Sequence, residues 1–161
     1  MTIISICYQP DVSQLEDKKF NRISVDTVEL IAGHGIQGDR KAGRNPKRQI
    51  NIMSMNTVQT LNELGFKTNP GELGEQLVID GLDVMGLPIG THIQLGDSAV
   101  IELTMARMGC AWLEMIHDQS KDDTIQRLGM LAKVIQGGTI SVNDTVKVLD
   151  AVFDETDYVK V

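Results

Sequence analysis

Residues 91–103 read THIQLGDSAVIEL, in which two short apolar runs flank a Gly-Asp pair. Short apolar runs bounded by turn residues are typical of β-strands. A Gly-Asp pair between two such runs is a hairpin signal, so Gly96-Asp97 predicts a tight connection. This stretch therefore predicts two strands, at 91–95 and 99–103, joined by a hairpin.

The same pattern of short apolar runs separated by glycine continues along the chain. In the first run, strict alternation predicts that Ile4, Ile6 and Tyr8 share one face of a strand. Gly137-Gly138 and Asn143-Asp144 predict further turns. The remaining strands are predicted at 2–8, 23–31, 49–53, 75–79, 130–135 and 145–149.

Helical spacing is confined to two short segments. In SMNTVQTLNELG, Ser54 or Asn56 is a candidate N-cap for a helix that runs to about Leu64 and ends at Gly65. A second short helix is predicted to open near Cys110. Many strands with few helices predict a mainly β fold, and periodicity alone does not choose between a sandwich and a barrel. We expect a barrel, because closure removes exposed sheet edges.

The chain of 161 residues has the length of one domain, so we expect a single domain over 1–161. No run of about 18 apolar residues predicts a membrane span. The N-terminus lacks the basic region and cleavage pattern of a secretory signal. We therefore expect a cytoplasmic protein, with no membrane partner and with its two cysteines reduced.

A local concentration of positive charge stands out in a chain whose formal net charge is −7. The overall acidity argues against nucleic-acid binding, for which a basic field is the usual footprint. Five of the nine positions from 40 to 48 are basic, and several glycines precede and interrupt them. We call residues 33–49, GHGIQGDRKAGRNPKRQ, the basic loop; its basic side chains are Arg40, Lys41, Arg44, Lys47 and Arg48.

The basic loop suits a small anion. Glycines such as Gly38 let successive amides turn inward as an anion-binding nest, and arginine forks can bind the same anion. The alternative is a solvated loop whose charges only maintain solubility. The glycine spacing matches neither a P-loop nor a dinucleotide fingerprint.

Cys110 is the candidate nucleophile. Its thiolate would be favoured by Arg107, three residues earlier, and by the start of the predicted helix. The alternative is a cysteine that packs as a small hydrophobic residue, which is the role expected for Cys7 in its apolar strand. In PGELGEQLVIDGLD at 70–83, a structural loop is the simpler interpretation, and Glu75 is the carboxylate of most interest. The cysteines and histidines lack the paired spacing of zinc sites.

Several stretches, taken in order, resemble the MOSC domain, which is named after the C-terminal domain of molybdenum cofactor sulfurases. The resemblance is strongest over 31–148, and it rests on the shared order of motifs more than on any one of them. Thr104, Arg107 and Cys110 form a T-x-x-R-x-x-C pattern within it. The other matching stretches are GIQGDRKAGR (35–44), RQINIMS (48–54), PGELGEQLVIDGLD (70–83), LPIGTHIQLG (87–96) and LAKVIQGGTISVNDTV (131–146).

This resemblance implies a MOSC-like β-barrel with a few short helices and a site for the molybdenum cofactor, molybdopterin. Cys110 falls on the cysteine that carries sulfur as a persulfide or ligates molybdenum through the cofactor. Lys41 and Gln76 depart from the residues common in relatives, which leaves the particular reaction open. The residues expected to bind the cofactor are Gly38, Asp39, Arg40, Lys41, Arg44, Arg48, Glu75 and Arg107.

Three functions are compatible with these features. The first is a sulfur carrier in metal–sulfur centre assembly, which a cysteine desulfurase or another sulfur donor would load at Cys110. The second is a molybdenum-dependent reductase of N-hydroxylated compounds that needs a separate electron donor. The third is a non-catalytic anion-binding module, in which replacing Cys110 would change packing but not function.

Overall fold

The computed structural model describes residues 1–10 and 22–150, which form eleven β-strands and two α-helices. The fold is therefore mainly β with two short helices, as the sequence predicted. Single turns of 3-10 helix lie at Val84–Gly86 and Lys121–Thr124. The strands are β1 (Thr2–Tyr8), β2 (Ile23–Val25), β3 (Thr27–Ile31), β4 (Gly35–Ile36), β5 (Ile50–Ser54), β6 (Leu77–Asp80), β7 (His92–Leu95), β8 (Ala99–Ala106), β9 (Met130–Gln136), β10 (Gly138–Ser141) and β11 (Val146–Asp150). The helices are α1 (Met55–Glu63) and α2 (Ala111–His117).

Eight strands form the main sheet, in the order β11-β7-β8-β9-β5-β6-β1-β2. All neighbours are antiparallel except β5 and β6, which run parallel. The predicted hairpin is confirmed, since β7 and β8 pair from His92–Glu102 to Leu95–Ala99. A second sheet has the order β10-β3-β4.

The two sheets bury one common apolar core. Val28 and Leu30 on β3 and Ile140 on β10 pack in the same cluster as Ile52 and Ile101 of the main sheet. The chain changes sheets at two short breaks, because a bend at Asp26 separates β2 from β3 and Gly137 separates β9 from β10. The predicted single strand at 23–31 is therefore two strands that belong to different sheets.

The expected barrel is wrong in its closure, since the sheets of the described chain remain open. β11 reaches β1 only through an isolated bridge between Thr2 and Thr145, flanked by bonds such as Val146 N–H to the Met1 carbonyl at 2.9 Å. β2 pairs with Ile6–Tyr8, so the second half of β1 has no free edge for β11. Between β11 and β1 there is thus one isolated bridge, where a closed barrel would need a continuous ladder of backbone hydrogen bonds.

Strand β1 also departs from simple alternation. A register shift between Ile3 and Ser5 interrupts its pairing with β6. As a result Ile3 and Ile6 are fully buried, whereas Ile4 is exposed. A β-bulge adds one residue to one strand and so reverses the faces that follow it, which period-two reasoning does not anticipate.

A second apolar cluster packs the helices against the main sheet. Val58 and Leu61 of α1, Leu113 of α2 and Val78 of β6 are buried together, and Leu128 joins them. Both helices are too short to be stable alone, so this packing fixes their positions. No helix within 1–10 and 22–150 is long and apolar enough to cross a bilayer.

Gly129, just before β9, provides a test of this packing. Its φ is +81°, and a Cβ there would collide with the Ile52 carbonyl and lie 2.8 Å from Met53 Cγ. Gly90 also has a positive φ, +90°, but a Cβ there would meet nothing within 4 Å. We expect Gly90→Ala to lower the free energy of unfolding by roughly 1–2 kcal/mol, the backbone cost alone.

Gly129→Ala should lower the free energy of unfolding by clearly more, because a buried collision adds to that backbone cost. Urea denaturation of the two variants measures the difference. Equal losses would mean that the close approach of residue 129 to β5 is not present in the folded protein.

Candidate functional site

The basic loop is fixed to neighbouring segments at two points. In its middle, Arg40 N–H donates to the carbonyl of Gln9, just after β1, at 2.7 Å. At its end, the Thr104 hydroxyl on β8 lies 2.6 Å from the Lys47 carbonyl. Because β8 leads directly into Arg107 and Cys110, these contacts bring the basic loop to the T-x-x-R-x-x-C segment.

A chain of buried hydrogen bonds supports the start of the loop. The Asp39 carboxylate accepts from Gln9 N–H at 3.1 Å and from Gln76 Nε2 at 2.8 Å. Gln76 Oε1 in turn accepts from Asn51 N–H at 2.9 Å, and Asn51 Nδ2 donates to the Gly74 carbonyl at 2.9 Å. This series of hydrogen bonds fixes the direction of every donor, and both carboxylate oxygens of Asp39 accept a hydrogen bond from within the protein.

Arg107 crosses from β8 to the 70–75 loop. Its N–H donates to the Gly129 carbonyl at 2.9 Å, and its Nη1 donates to the Leu73 carbonyl at 2.6 Å. A Cβ on residue 74 would lie 2.5 Å from Nη2, so a side chain there would require the guanidinium to shift. The backbone at 74 favours glycine through its own positive φ of +80°.

Arg22 also contacts the 70–75 loop, which the sequence did not indicate. Its Nε donates to the Glu75 carbonyl at 3.2 Å, and its Cβ lies 2.7 Å from where a side chain on residue 71 would begin. The only signal available from the sequence was the repeated glycine in PGELG, without any indication of which residue needs the space.

Glu75 is buried, with 2% of its surface exposed, and the charges of both arginines act on it. Its Oε1 accepts from Gly71 N–H at 2.5 Å, whereas Oε2 is buried without a partner among the described residues. Burial raises the pKa of Glu75, and the Gly71 N–H together with the charges of Arg22 and Arg107 opposes that rise. This carboxyl group is thus the one in the site best placed to hold a proton.

We name Arg22, Lys41 and Arg107 the cation cluster, because their charges act on one another. Burial, followed by the charge of Arg22, lowers the pKa of Arg107 to about 10. Burial of the ammonium group, followed by the charges of Arg22 and Arg107, lowers the pKa of Lys41, although the residue as a whole is exposed. Within the described ranges none of the three forms an ion pair with a carboxylate.

Cys110 lies beside this cluster. It is exposed and immediately precedes α2 at the N-cap position, where its side chain makes no capping hydrogen bond. Negative charge on Cys110 raises the pKa of both Lys41 and Arg107, against the larger effect of burial. The thiol, one lysine of the basic loop and Arg107 therefore lie within electrostatic reach of one another.

The far end of α2 is held by His117. The ring Nδ1 accepts from Lys67 N–H at 3.0 Å, so Nε2 carries the proton that is donated to the Glu72 carbonyl at 2.9 Å. Burial lowers the pKa of His117, which keeps the ring neutral as this pairing requires. His117 is thus a satisfied polar residue, and it ties α2 to the loop that contains Glu75.

The other residues expected to bind an anion lie apart from these contacts. Gly38 adopts a positive φ of +82°, and Arg40 is half-buried. Arg44 and Arg48 are exposed, and no ion pair within the described chain holds either of them. Lys41 is thus the cation of the basic loop whose pKa carries an electrostatic link to Cys110.

Three further observations bound the site. Cys7 is buried with its sulfur 3.6 Å from the hydroxyls of Ser5 and Ser24, and burial raises its pKa, in keeping with a packing role. Within 1–10 and 22–150, no three His, Cys, Asp or Glu side chains are grouped closely enough to hold a metal ion. A concave surface is lined by other residues, namely Ser54, Asn56, Thr57, Thr60, Asp83 and Arg127.

The buried hydrogen-bond chain makes a prediction about Asp39. In Asp39→Asn, the new amide would face the Gln76 amide donor, and Gln76 cannot turn over because its Oε1 is held by Asn51 N–H. We expect a loss of about 1–3 kcal/mol in the free energy of unfolding, the usual cost of an unsatisfied buried group. Chemical denaturation measures it.

The double variant Asp39→Asn/Gln76→Glu should recover most of that stability. It restores one donor and one acceptor at the contact and still accepts from Asn51 N–H. Gln76→Glu alone is the control, and it should be destabilised because two carboxylates then meet. Additive losses in the double variant would show that residues 39 and 76 do not interact as described.

The fold is shared with several solved structures of low sequence identity. The YuaD protein from Bacillus subtilis matches with 22% identity and a TM-score of 0.73, covering 92% of this chain and 96% of that one. YiiM from Escherichia coli matches with 22% identity and a TM-score of 0.69, covering 96% and 72%. YiiM from Geobacillus stearothermophilus matches with 15% identity and a TM-score of 0.69, covering 92% and 74%.

No curated protein matches the chain significantly. The model of the MOSC domain family matches residues 39–147, which is more than half of the chain and includes Asp39, Lys41, Glu75, Arg107 and Cys110. With the order of motifs and the fold in agreement, the chain belongs to the MOSC domain family.

Proposed function

We propose that this protein binds the molybdenum cofactor and acts as a sulfur carrier, with a persulfide on Cys110 that serves metal–sulfur centre assembly. The observation that carries the proposal is the exposed thiol of Cys110 within electrostatic reach of Lys41 and Arg107. Both roles of the site depend on it, because a carrier needs an accessible sulfur and the cofactor needs positive charge.

The donor set suits the cofactor. Its phosphate tail is anionic, and the three side chains of the cation cluster form no ion pair within the described ranges, although the charges of Asp39 and Glu75 act on them. Two buried atoms, Asn51 Oδ1 and Glu75 Oε2, also lack partners there, which is uncommon in folded proteins outside functional sites. When bound, the cofactor would supply a molybdenum centre held by dithiolene sulfurs, as the membership of the protein in the MOSC domain family implies.

The chain's own contribution is to hold a reactive sulfur. A thiolate, not a thiol, attacks sulfur, and nearby cations favour the thiolate. The Cys110 thiolate would attack the terminal sulfur of a donor persulfide, forming a new S–S bond while the donor's own S–S bond breaks and the donor leaves as a thiolate. One sulfur atom is transferred from the donor to Cys110, and no external oxidant or reductant is required.

Loading by a cysteine desulfurase tests this directly. The purified protein is incubated with a desulfurase and cysteine and then analysed by mass spectrometry of the intact chain and its peptides. We expect one labile addition of about 32 Da, one sulfur atom, on Cys110, which a thiol reductant removes. Cys7→Ser should keep the addition because Cys7 is buried, and Cys110→Ser should lose it.

A specific observation also favours the reductase as a second candidate. Reduction of an N-hydroxylated compound to the amine and water consumes two electrons and two protons. Glu75, whose pKa is raised by burial, is a group that can hold a proton beside Arg107. Protein that purifies with molybdenum and a fluorescent pterin but takes no sulfur on Cys110 would contradict the carrier function and support this one.

A further inference from the structure

We propose that an exposed apolar patch beside Cys110 docks the protein that donates sulfur to it, a donor whose surface is apolar around its persulfide and basic at the rim. We define the apolar patch by Met108, Met115 and Ile125. This inference rests on the proposed sulfur-carrier function, and it adds the surface through which the donor is recognised.

The apolar patch holds the most exposed large apolar side chains that the structure describes. Met108 is 84% exposed, Ile125 is 65% exposed and Met115 is 64% exposed. All three fall within the segment 108–125, which also contains the exposed thiol of Cys110. Single exposed apolar residues are ordinary, but a group of them with a polar rim is typical of an interaction surface.

The two methionines lie close to Cys110 along the backbone. Met108 precedes Cys110 by two residues, so their Cα atoms are at most about 7 Å apart. Cys110 is the N-cap residue of α2, and Met115 lies five residues further on, roughly 7.5 Å along the helix axis. Met115 also follows the exposed Ala111 by four residues, so these two share one face of α2. That exposed face therefore continues the surface around the thiol.

Contacts of the preceding 3-10 turn bring Ile125 to the same surface. A Cβ on Gly109 would lie 2.5 Å from Thr124 Oγ1 and 3.2 Å from Lys121 Cβ, so the turn packs directly against the residue before the thiol. Lys121 N–H also donates to Glu114 Oε1 on α2 at 3.0 Å. Ile125 follows this turn at once, so its position is set by contacts on both sides of the thiol.

The rim of the apolar patch is acidic. Asp118, Asp122 and Asp123 are exposed, and no ion pair within the described chain holds any of them. Between residues 111 and 125 the sequence has four acidic residues and a single lysine. Complementary charge steers association and suppresses wrong partners, so this rim favours a partner with basic residues around its apolar surface.

The size and charge of the apolar patch favour a transient donor over a second copy of this chain. Three side chains are few beside the roughly 20–30 residues that each partner contributes to a stable interface, and small interfaces are typical of short-lived encounters. A two-fold dimer would bring the same surface together on both subunits, which would place one acidic rim against the other. A sulfur donor, in contrast, must bind, transfer its sulfur and leave.

Docking affects the rate of the exchange and leaves its chemistry unchanged. The Cys110 thiolate bonds to the terminal sulfur of the donor persulfide, the donor's own S–S bond breaks, and the donor cysteine leaves as a thiolate. A small donor such as cysteine persulfide undergoes the same exchange without a docking surface. A comparison of the two donors therefore separates recognition from reactivity.

The experiment measures the second-order rate constant for loading of Cys110 in the full chain, by mass spectrometry, with a cysteine desulfurase or with cysteine persulfide as the donor. In Met108→Gln/Met115→Gln we expect the rate constant with the desulfurase to fall at least about fivefold, because apolar contacts at the centre of the interface are lost. The rate constant with cysteine persulfide should change less than about twofold, because the charge around the thiol is the same.

Ile135→Gln is the matched control, because it removes an exposed apolar side chain at a distance from the thiol. Ile135 is 42% exposed and lies roughly 17 Å along β9 from Met130, which pairs with Ala106 at the end of β8. Both rate constants should stay within about twofold of the wild type. Thermal unfolding checks that the variants remain folded, which the exposure of the replaced side chains favours.

An unchanged rate constant with the desulfurase in the double variant would overturn the inference, while the carrier function stands. Equal losses with both donors would also overturn it, because the methionines would then act on the thiol. Loading by cysteine persulfide alone would exclude the docked donor, and a wild-type protein that neither donor loads would contradict the carrier function itself. Loading by the desulfurase that does not slow as salt is raised would contradict a basic partner. Self-association that is lost in the double variant would assign the apolar patch to a second copy and overturn the inference.

Discussion

The site depends on one close approach, the packing of the Arg107 guanidinium against the backbone of Gly74. This contact anchors the end of β8 to the 70–75 loop through the bond to the Leu73 carbonyl. Any side chain at 74 would displace the guanidinium, and Cys110 follows Arg107 by three residues. The glycine at 74 therefore permits the present position of the Arg107 guanidinium next to Glu75.

Around this contact the carboxylates and the cations of the site have different kinds of partner. The buried carboxylates of Asp39 and Glu75 mostly accept hydrogen bonds from backbone and amide N–H groups, so they support the structure of the site. Arg22 and Arg107 donate to backbone carbonyl oxygens, and Lys41 is exposed to solvent. Their positive charges therefore remain available to a ligand. A buried charge without an ion pair is costly, so this arrangement supports the proposal that the site binds an anion.

Local patterns in the sequence were sufficient to predict individual strands and helices. They were insufficient to predict how the strands assemble into sheets. The β7–β8 hairpin and the helix that follows Ser54 were predicted, because turn residues and apolar spacing act over a few positions. The open sheet and the bulge at Ile3 were not, since both depend on which edges of β1 are occupied by distant strands. Pairings across more than a hundred residues leave no local signature.

The site was predictable to a similar degree. Cys110, Arg107 and Lys41 carried signals in spacing and charge, and the structure brings their charges within reach of one another. Arg22 carried no signal, because its role follows from the space above Gly71 and the carbonyl of Glu75. Arg44 and Arg48 had the same charge pattern as Lys41, and only the three-dimensional path of the loop distinguishes them.

The central claim is that the cation cluster acts on the Cys110 sulfur, and the charge preference of alkylation measures this most directly. In a Cys7→Ser background, the rates of reaction with anionic iodoacetate and neutral iodoacetamide are compared with those of glutathione. We predict that Cys110 favours iodoacetate relative to glutathione, and that the preference falls in Lys41→Gln and at 1 M salt, where screening acts within about 3 Å. A rate ratio equal to that of glutathione, unchanged by salt and by Lys41→Gln, would contradict the account.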